Sequence, residues 1–231
     1  MSPRPQDFVA LYARLAMPVT DEDCGLRCGP YNEGGVPFCC DPRHAIPTAY
    51  QEEWAYLQAH TDLWRLWEDD DPEEIRRLWE EIPRYQVPIV CRGVVHCQRE
   101  FRSLVCRAFP FFPYISRQNE LLGLTYYWQY EDRCWVISHL GRVRPDFRQA
   151  MLDVYRTLFA WYPQERETFR HQSTMMRRVF GRRHREIPLL HRDGFMYLLH
   201  PRTEALRPVD PSSLPKHGVY ALAAMLPFED E

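Results

Sequence analysis

Cysteine is the residue type in this 231-residue chain best placed to do chemistry. Of its eight cysteines, seven lie between Cys24 and Cys106, and the last is Cys134. Cys24-x3-Cys28 and Cys39-Cys40 form a first group, and Cys91-x5-Cys97-x8-Cys106 a second. Sulfur coordinates as a soft thiolate, and four thiolates converging on one point suit tetrahedral zinc or an iron–sulfur cluster. Thiolates from two distant segments would staple those segments together, and the binding energy would contribute directly to folding. None of the spacings is a plain CxxC pair, so the zinc-finger and zinc-ribbon patterns do not match. Adjacent cysteines such as Cys39 and Cys40 point different ways and rarely both ligate one mononuclear ion. The irregular spacing and the surplus of thiols favour a [4Fe–4S] cluster over zinc.

The second group carries a family resemblance. Cys97-Gln-Arg-Glu-Phe-Arg102-Ser-Leu-Val-Cys106-Arg107-Ala-Phe109-Pro110-Phe111 resembles the second half of the YkgJ-like cysteine-cluster family. The pattern of that family is a Cys, eight residues that include Arg-Pro, then Cys-Arg-x-Phe/Tyr-Pro. The eight-residue gap is kept and Arg102 matches the Arg, while Ser103 stands where Pro is usual and Gln98-Arg99 replace Ile-Tyr. Cys24, Cys28 and Cys39-Cys40 resemble the first half, CxxCxxCC, opened by about ten residues. Thr48 with Glu52 and Glu53 resembles the helix start that follows the CC pair. The likeness covers roughly residues 20–115. It implies a zinc or iron–sulfur site and says little about a reaction; a flagellin lysine N-methylase branch shares a similar signature.

Clustering and resemblance together make Cys28, Cys40, Cys97 and Cys106 the best four metal ligands, with Cys24 and Cys39 as substitutes. Arg102 and Arg107 are expected to donate to thiolate charge or to pair with nearby acids. Free cysteines are often small buried hydrophobes, which is the better reading of Cys134 within the strand-like CWVIS. Cys91, at the end of VPIVC, is evenly balanced between the two. His44 and His96 read as ordinary surface or core histidines.

Composition narrows the remaining classes. Apolar residues make up 45% and aromatic ones 14%, enough to build a sizeable core and to exclude wholesale disorder. A net charge of −3 argues against a globally basic nucleic-acid binder, although all but Lys216 of the 29 basic residues are Arg. No apolar run is long enough to span a membrane. The residues after Met1 have no secretory pattern, so a reducing, cytoplasmic setting is expected, in which clustered thiols read as metal ligands.

The elements that must position the cysteines follow from periodicity. Residues 5–16 read as a short helix and 17–46 as loop. A capping box at residues 48–51 opens a helix whose face carries Tyr50, Trp54, Leu57, Trp64 and Trp67. Asp71-Pro72-Glu73-Glu74 starts another. Residues 87–91 read as extended, and 121–140 as a hairpin turning at Glu131-Asp132-Arg133. Residues 146–161 form an amphipathic helix, and Pro163 opens a further one that Gly181 closes. IPLL and FMYLLH form a hairpin around His191–Gly194, and VYALAAML a last strand or short helix. Phe109–Tyr114 reads as an apolar sleeve over the metal sulfurs. The basic run Arg177–Arg185 reads first as a solvated helix end and secondly as a docking surface for an acidic partner or nucleic acid.

The expectation is an α+β protein, mainly helical. Its loop-rich N-terminal half is organised around a cysteine-ligated metal centre, with small β-hairpins and C-terminal helices. A metal-binding region over 1–118 is followed by an α+β region over 119–231, the two forming one compact unit. Function is expected to be metal or iron–sulfur binding. A protein-modifying enzyme of the lysine N-methylase type and a structural zinc module docking a partner through Arg177–Arg185 are the alternatives. The chain has no GxGxxG, GxxxxGK[ST], HExxH or GxSxG motif.

Overall fold

The computed structural model describes residues 2–223. Helix α1 (Asp7–Arg14) buries Phe8, Leu11 and Tyr12 and opens with Arg4 paired to Asp7. A segment expected to be loop contains the short helix α2 (Cys24–Cys28) and three single 3-10 turns, the last at Phe38–Cys40. Next come β1 (Thr48–Tyr50), α3 (Gln51–His60), β2 (Trp64–Leu66), α4 (Pro72–Glu81) and β3 (Gln86–Cys91). The three strands form one antiparallel sheet with β3 in the middle: its first half pairs with β1 and its second half with β2, where Cys91 faces Trp64. The expected helical face from Tyr50 to Trp67 is therefore cut after His60, because Trp64 enters a strand and its indole donates to the Phe101 carbonyl. Asp71 caps α4 as its sequence implies.

Helix α5 (Leu104–Ala108) leads into β4 (Phe111–Ile115) and β5 (Leu121–Tyr126). Helices α6 (Pro145–Trp161) and α7 (Pro163–Arg182) follow, then β6 (Ile187–His191), β7 (Met196–Leu199), β8 (Leu206–Pro208) and α8 (Val219–Ala223). Strands β4 to β8 form a second antiparallel sheet in sequence order. Pro113 lies on its edge strand, where a missing N–H is tolerated, and Ser173 of α7 accepts the Ile115 amide. The hairpin of IPLL and FMYLLH is present as β6 and β7, whereas only the first half of 121–140 is a strand. Residues 137–142 coil as 3-10 turns instead, so β5 pairs with β4 and β6. Of the segment VYALAAML, residues 219–223 are helical and the rest lies outside the described residues.

These observations correct the expected architecture. The protein is not mainly helical with small hairpins: a three-stranded and a five-stranded antiparallel sheet share the fold with the helices, and the C-terminal region holds four strands besides α6, α7 and α8. Segments such as PFFPYI and IPLL are buried on both faces, and a sheet pairs their backbone groups while α6 and α7 cover them. Nor is the N-terminal half organised around a metal centre. One hydrophobic core runs from Phe8 through Leu57, Ile89, Phe112 and Leu152 to Leu199. Phe111 and Phe112 belong to this core rather than to a sleeve over sulfur.

A polar network crosses that core. The hydroxyls of Tyr50 and Tyr85 donate to Glu165 at 2.6 and 2.5 Å. Glu53 accepts from the Tyr12 hydroxyl and from the backbone amides of Tyr50 and Leu104, the last at 2.7 Å. Among the described residues no buried side-chain nitrogen or oxygen lacks a partner.

Candidate metal centre

Each cysteine is placed by a short local device. The Asp23 carboxylate accepts the Gly25 amide at 2.9 Å and so starts α2, which carries Cys24 and Cys28 one turn apart on one face. After α2 the chain doubles back so tightly that a Cβ on Gly29 would sit 2.5 Å from the Gly35 carbonyl oxygen. That reversal returns Phe38–Cys40 towards α2, where the Phe38 amide donates to the Cys28 sulfur. Cys91 ends β3 and receives the Gly93 amide. Cys97 leaves the turn Val94–His96. Ser103 caps α5 by accepting the Cys106 amide. Cys134 follows the turn at Tyr130.

All eight cysteines are free thiols, and they are linked pairwise through space rather than gathered on one point. Cys39 and Cys40 lie 3.9 Å apart, sulfur to sulfur. Cys24 is within electrostatic reach of Cys28, and Cys28 of Cys40. Cys106 in turn feels both Cys40 and Cys91. Burial pushes the Cys24 thiol up to about 11 and those of Cys106 and Cys134 up to about 12. Cys40 moves the other way, to about 7, because Cys39 hydrogen-bonds to its sulfur and the Arg102 guanidinium lies near. Cys28 and Cys134 are buried, and the other six are half-buried.

The two arginines divide the expected work. Arg102 Nε donates to Cys97 Sγ at 3.1 Å and lies within reach of Cys40 and Cys106. Arg107 instead binds backbone: its guanidinium donates to the carbonyls of Leu15, Arg99, Glu100 and Arg102, each at 2.9 Å, and lies over the Tyr12 ring. It clamps the turn between Cys97 and Cys106 rather than touching a thiol. Both ring nitrogens of His44 are taken, Nδ1 by Arg133 and Nε2 by Asn32, and His96 is exposed.

Cys134 is buried in the hydrophobic core, as its apolar setting in sequence implied, and it lies within electrostatic reach of Cys24, Cys28 and Cys39. Cys91, evenly balanced in sequence, falls beside Cys40 and Cys97. The basic run proves divided: Arg177 is buried against Glu204 at 2.8 Å and Arg185 grips Glu131 through both terminal nitrogens, leaving Arg178, Arg182 and His184 exposed.

Among the described residues no group of three or more His, Cys, Asp or Glu side chains is set to hold a metal ion. The thiols converge without closing on a point. Among the same residues no helix is long and apolar enough to cross a membrane. No protein-family model matches the chain, and no curated protein or solved structure does.

Proposed function

We propose that this chain is a cysteine-cluster protein that binds an iron–sulfur cluster or zinc through Cys24, Cys28, Cys39, Cys40, Cys97 and Cys106, or a subset of them. The observation that carries the reading is that free thiols from α2, the 38–40 turn, β3, the Cys97 turn and α5 are each within electrostatic reach of another, with a guanidinium donating to one sulfur. Core packing alone explains a buried thiol or two, but gives no reason for cysteines from separate segments to meet at half-buried positions. The donor chemistry fits a thiophilic metal: soft sulfurs, shielded from water, with Arg102 to offset thiolate charge. Zinc would supply a structural staple there, and an iron–sulfur cluster electron transfer. Most of these thiols are held protonated by burial, so binding releases protons and strengthens as pH rises. A reducing compartment such as the cytoplasm would keep the thiols free for this role.

Anaerobic purification followed by an absorption spectrum and assays for iron, zinc and labile sulfide tests the reading. Brown protein with about four iron and four sulfide or more per chain identifies an iron–sulfur protein. Colourless protein with about one zinc or more identifies a zinc-thiolate one. Cys106→Ala is expected to lower the metal content. Metal-free protein under both conditions returns the cysteines to core packing and ends the proposal.

A further inference from the structure

A cleft of about 310 Å³ with no cysteine in its lining opens where the β4–β5 turn, the β6–β7 turn, α6 and α7 meet. Three of its lining side chains are guanidinium groups, each from a different element: Arg156 of α6, Arg166 of α7 and Arg192 of the β6–β7 turn. Arg166 is fixed in place. Its Nε donates to Asn119 Oδ1 at 3.0 Å, its Nη2 donates to the Asn119 carbonyl, and its guanidinium lies 5.7 Å from the centre of the Phe159 ring. Asn119 sits in a tight turn in which the Ser116 amide donates to the Glu120 carbonyl at 2.9 Å. Its φ is 63°, a left-handed conformation that asparagine tolerates better than most residues. The turn thus offers one guanidinium both a side-chain and a backbone oxygen. Arg192 is held by the sheet: its amide donates to the Leu122 carbonyl at 2.8 Å and its Nη1 to the Leu121 carbonyl at 3.2 Å.

The charges in this cleft do not balance. Arg156 pairs with Asp153 one turn back on α6, and Arg192 Nη2 lies 3.5 Å from Glu120 on the rim. Among the described residues Arg166 has no carboxylate partner; an amide oxygen and a carbonyl hold it and leave its charge unanswered. Two carboxylates therefore face three guanidinium groups, on a chain whose net charge is −3. Arg166 Nη1, Arg192 Nε and Arg156 Nη2 make no hydrogen bond among the described residues, so donors remain on all three side chains.

We propose that this cleft binds the phosphoryl group of a small phosphorylated ligand through Arg156, Arg166 and Arg192. One bidentate guanidinium satisfies a planar carboxylate, whereas a tetrahedral phosphoryl group presents several oxygens in different directions and takes donors from several sides. The volume lies at the small end of ligand pockets and suits a metabolite rather than a polymer. The buried Leu121 and Phe159 give the rest of the ligand an apolar wall. The proposal is independent of the thiols and stands whether or not they hold metal.

The full chain, reduced and kept anaerobic, is titrated calorimetrically at constant ionic strength with inorganic phosphate and with glycerol phosphate, and with succinate for comparison. Saturable binding of both phosphate compounds in competition for a single site, with weaker or no binding of succinate, is the expected result. Arg166→Gln and Arg156→Gln should each weaken phosphate binding about tenfold, and Arg178→Gln, exposed on α7 outside the cleft, should leave it unchanged. Arg156 is exposed on α6, so its variant keeps the fold, checked by far-ultraviolet circular dichroism, if the loss of Arg166 loosens the Asn119 turn. No saturable binding of either phosphate compound, or affinity unchanged in both cleft variants, overturns the proposal. Succinate binding as tightly as phosphate overturns the phosphoryl assignment. A single-stranded oligonucleotide that displaces phosphate and binds more tightly overturns the small ligand in favour of nucleic acid.

Discussion

Two polar regions are built into the interior, and they are finished to different degrees. In the Tyr–Glu network every group is answered from within the protein: Glu165 by Tyr50 and Tyr85, Glu53 by Tyr12 and two amides, Glu52 by Tyr162. The rings of Tyr50 and Tyr162 stack at 4.8 Å, and the network ties α1, α3 and β1 to α7. In the thiol region the sulfurs meet a guanidinium, backbone groups, the Ser103 hydroxyl and one another. A complete network is structural: it offsets the cost of its own burial and leaves nothing for a ligand.

The largest expected effect separates the two regions directly. Removing metal from the loaded protein with a chelator should abolish amide-exchange protection over 20–47 and 91–106, while β4 to β7, α6 and α7 stay protected. Structural zinc contributes on the order of 10 kcal/mol to folding in small domains, so a local collapse of that kind should be plain. Uniform loss of protection would mean that the thiol region and the sheet core unfold as one unit.

Phe180→Ala should act in the opposite sense. Phe180 is fully buried in α7 under the Arg185 guanidinium, and its truncation should cost about 3–5 kcal/mol in denaturant unfolding without changing metal content. A change in metal content would mean that the sheet core and the thiol region are mechanically one.

The polar network should reveal itself through pH. Burial raises the Glu53 carboxyl from 4.5 to about 7, against the pull of its three donors. The folded state therefore holds a proton that the unfolded state releases at lower pH. The stability this adds is complete below pH 4.5 and is lost as pH rises through 7. Urea midpoints between pH 4.5 and 8 should fall in the native chain and fall less in Glu53→Gln. Glu165 is raised in the same direction and keeps part of the slope. Equal slopes would show that Glu53 is solvated and that its region is less complete than described. The smallest effect is Gly181→Ala. Gly181 lies inside α7 with open space at its Cβ, and the change should stabilise by about 0.5–1 kcal/mol, touching neither region.

How legible these features were in sequence depended on whether the signal was local. Asp71-Pro72, the periodic apolar face of α6 and the turn between β6 and β7 are written in neighbouring residues, and each appears where expected. Gly181 misled because α7 simply runs past it to Arg182. The segment CWVIS looked like a strand because its residue types suit one, but no free strand edge reaches it: β5 is already paired on both sides by β4 and β6. The sheets were underweighted for the same reason, since PFFPYI finds its partner in β5 and its cover in α7, neither of them local. The site divided likewise. Cysteine spacing marked Cys97 and Cys106 together, whereas the approach of Cys134 to Cys24 joins residues far apart in sequence and leaves no local pattern. Arg102 was found with its sulfur, but Arg107 turned to carbonyls, a role no motif distinguishes.

X-ray absorption at the zinc and iron edges of protein purified without oxygen tests the central claim most directly, because it reads the donor atoms themselves. An edge well above background and a first shell of sulfur alone at about 2.3 Å are expected. A first shell dominated by nitrogen or oxygen, or no bound metal in protein whose thiols are fully reduced, would contradict it.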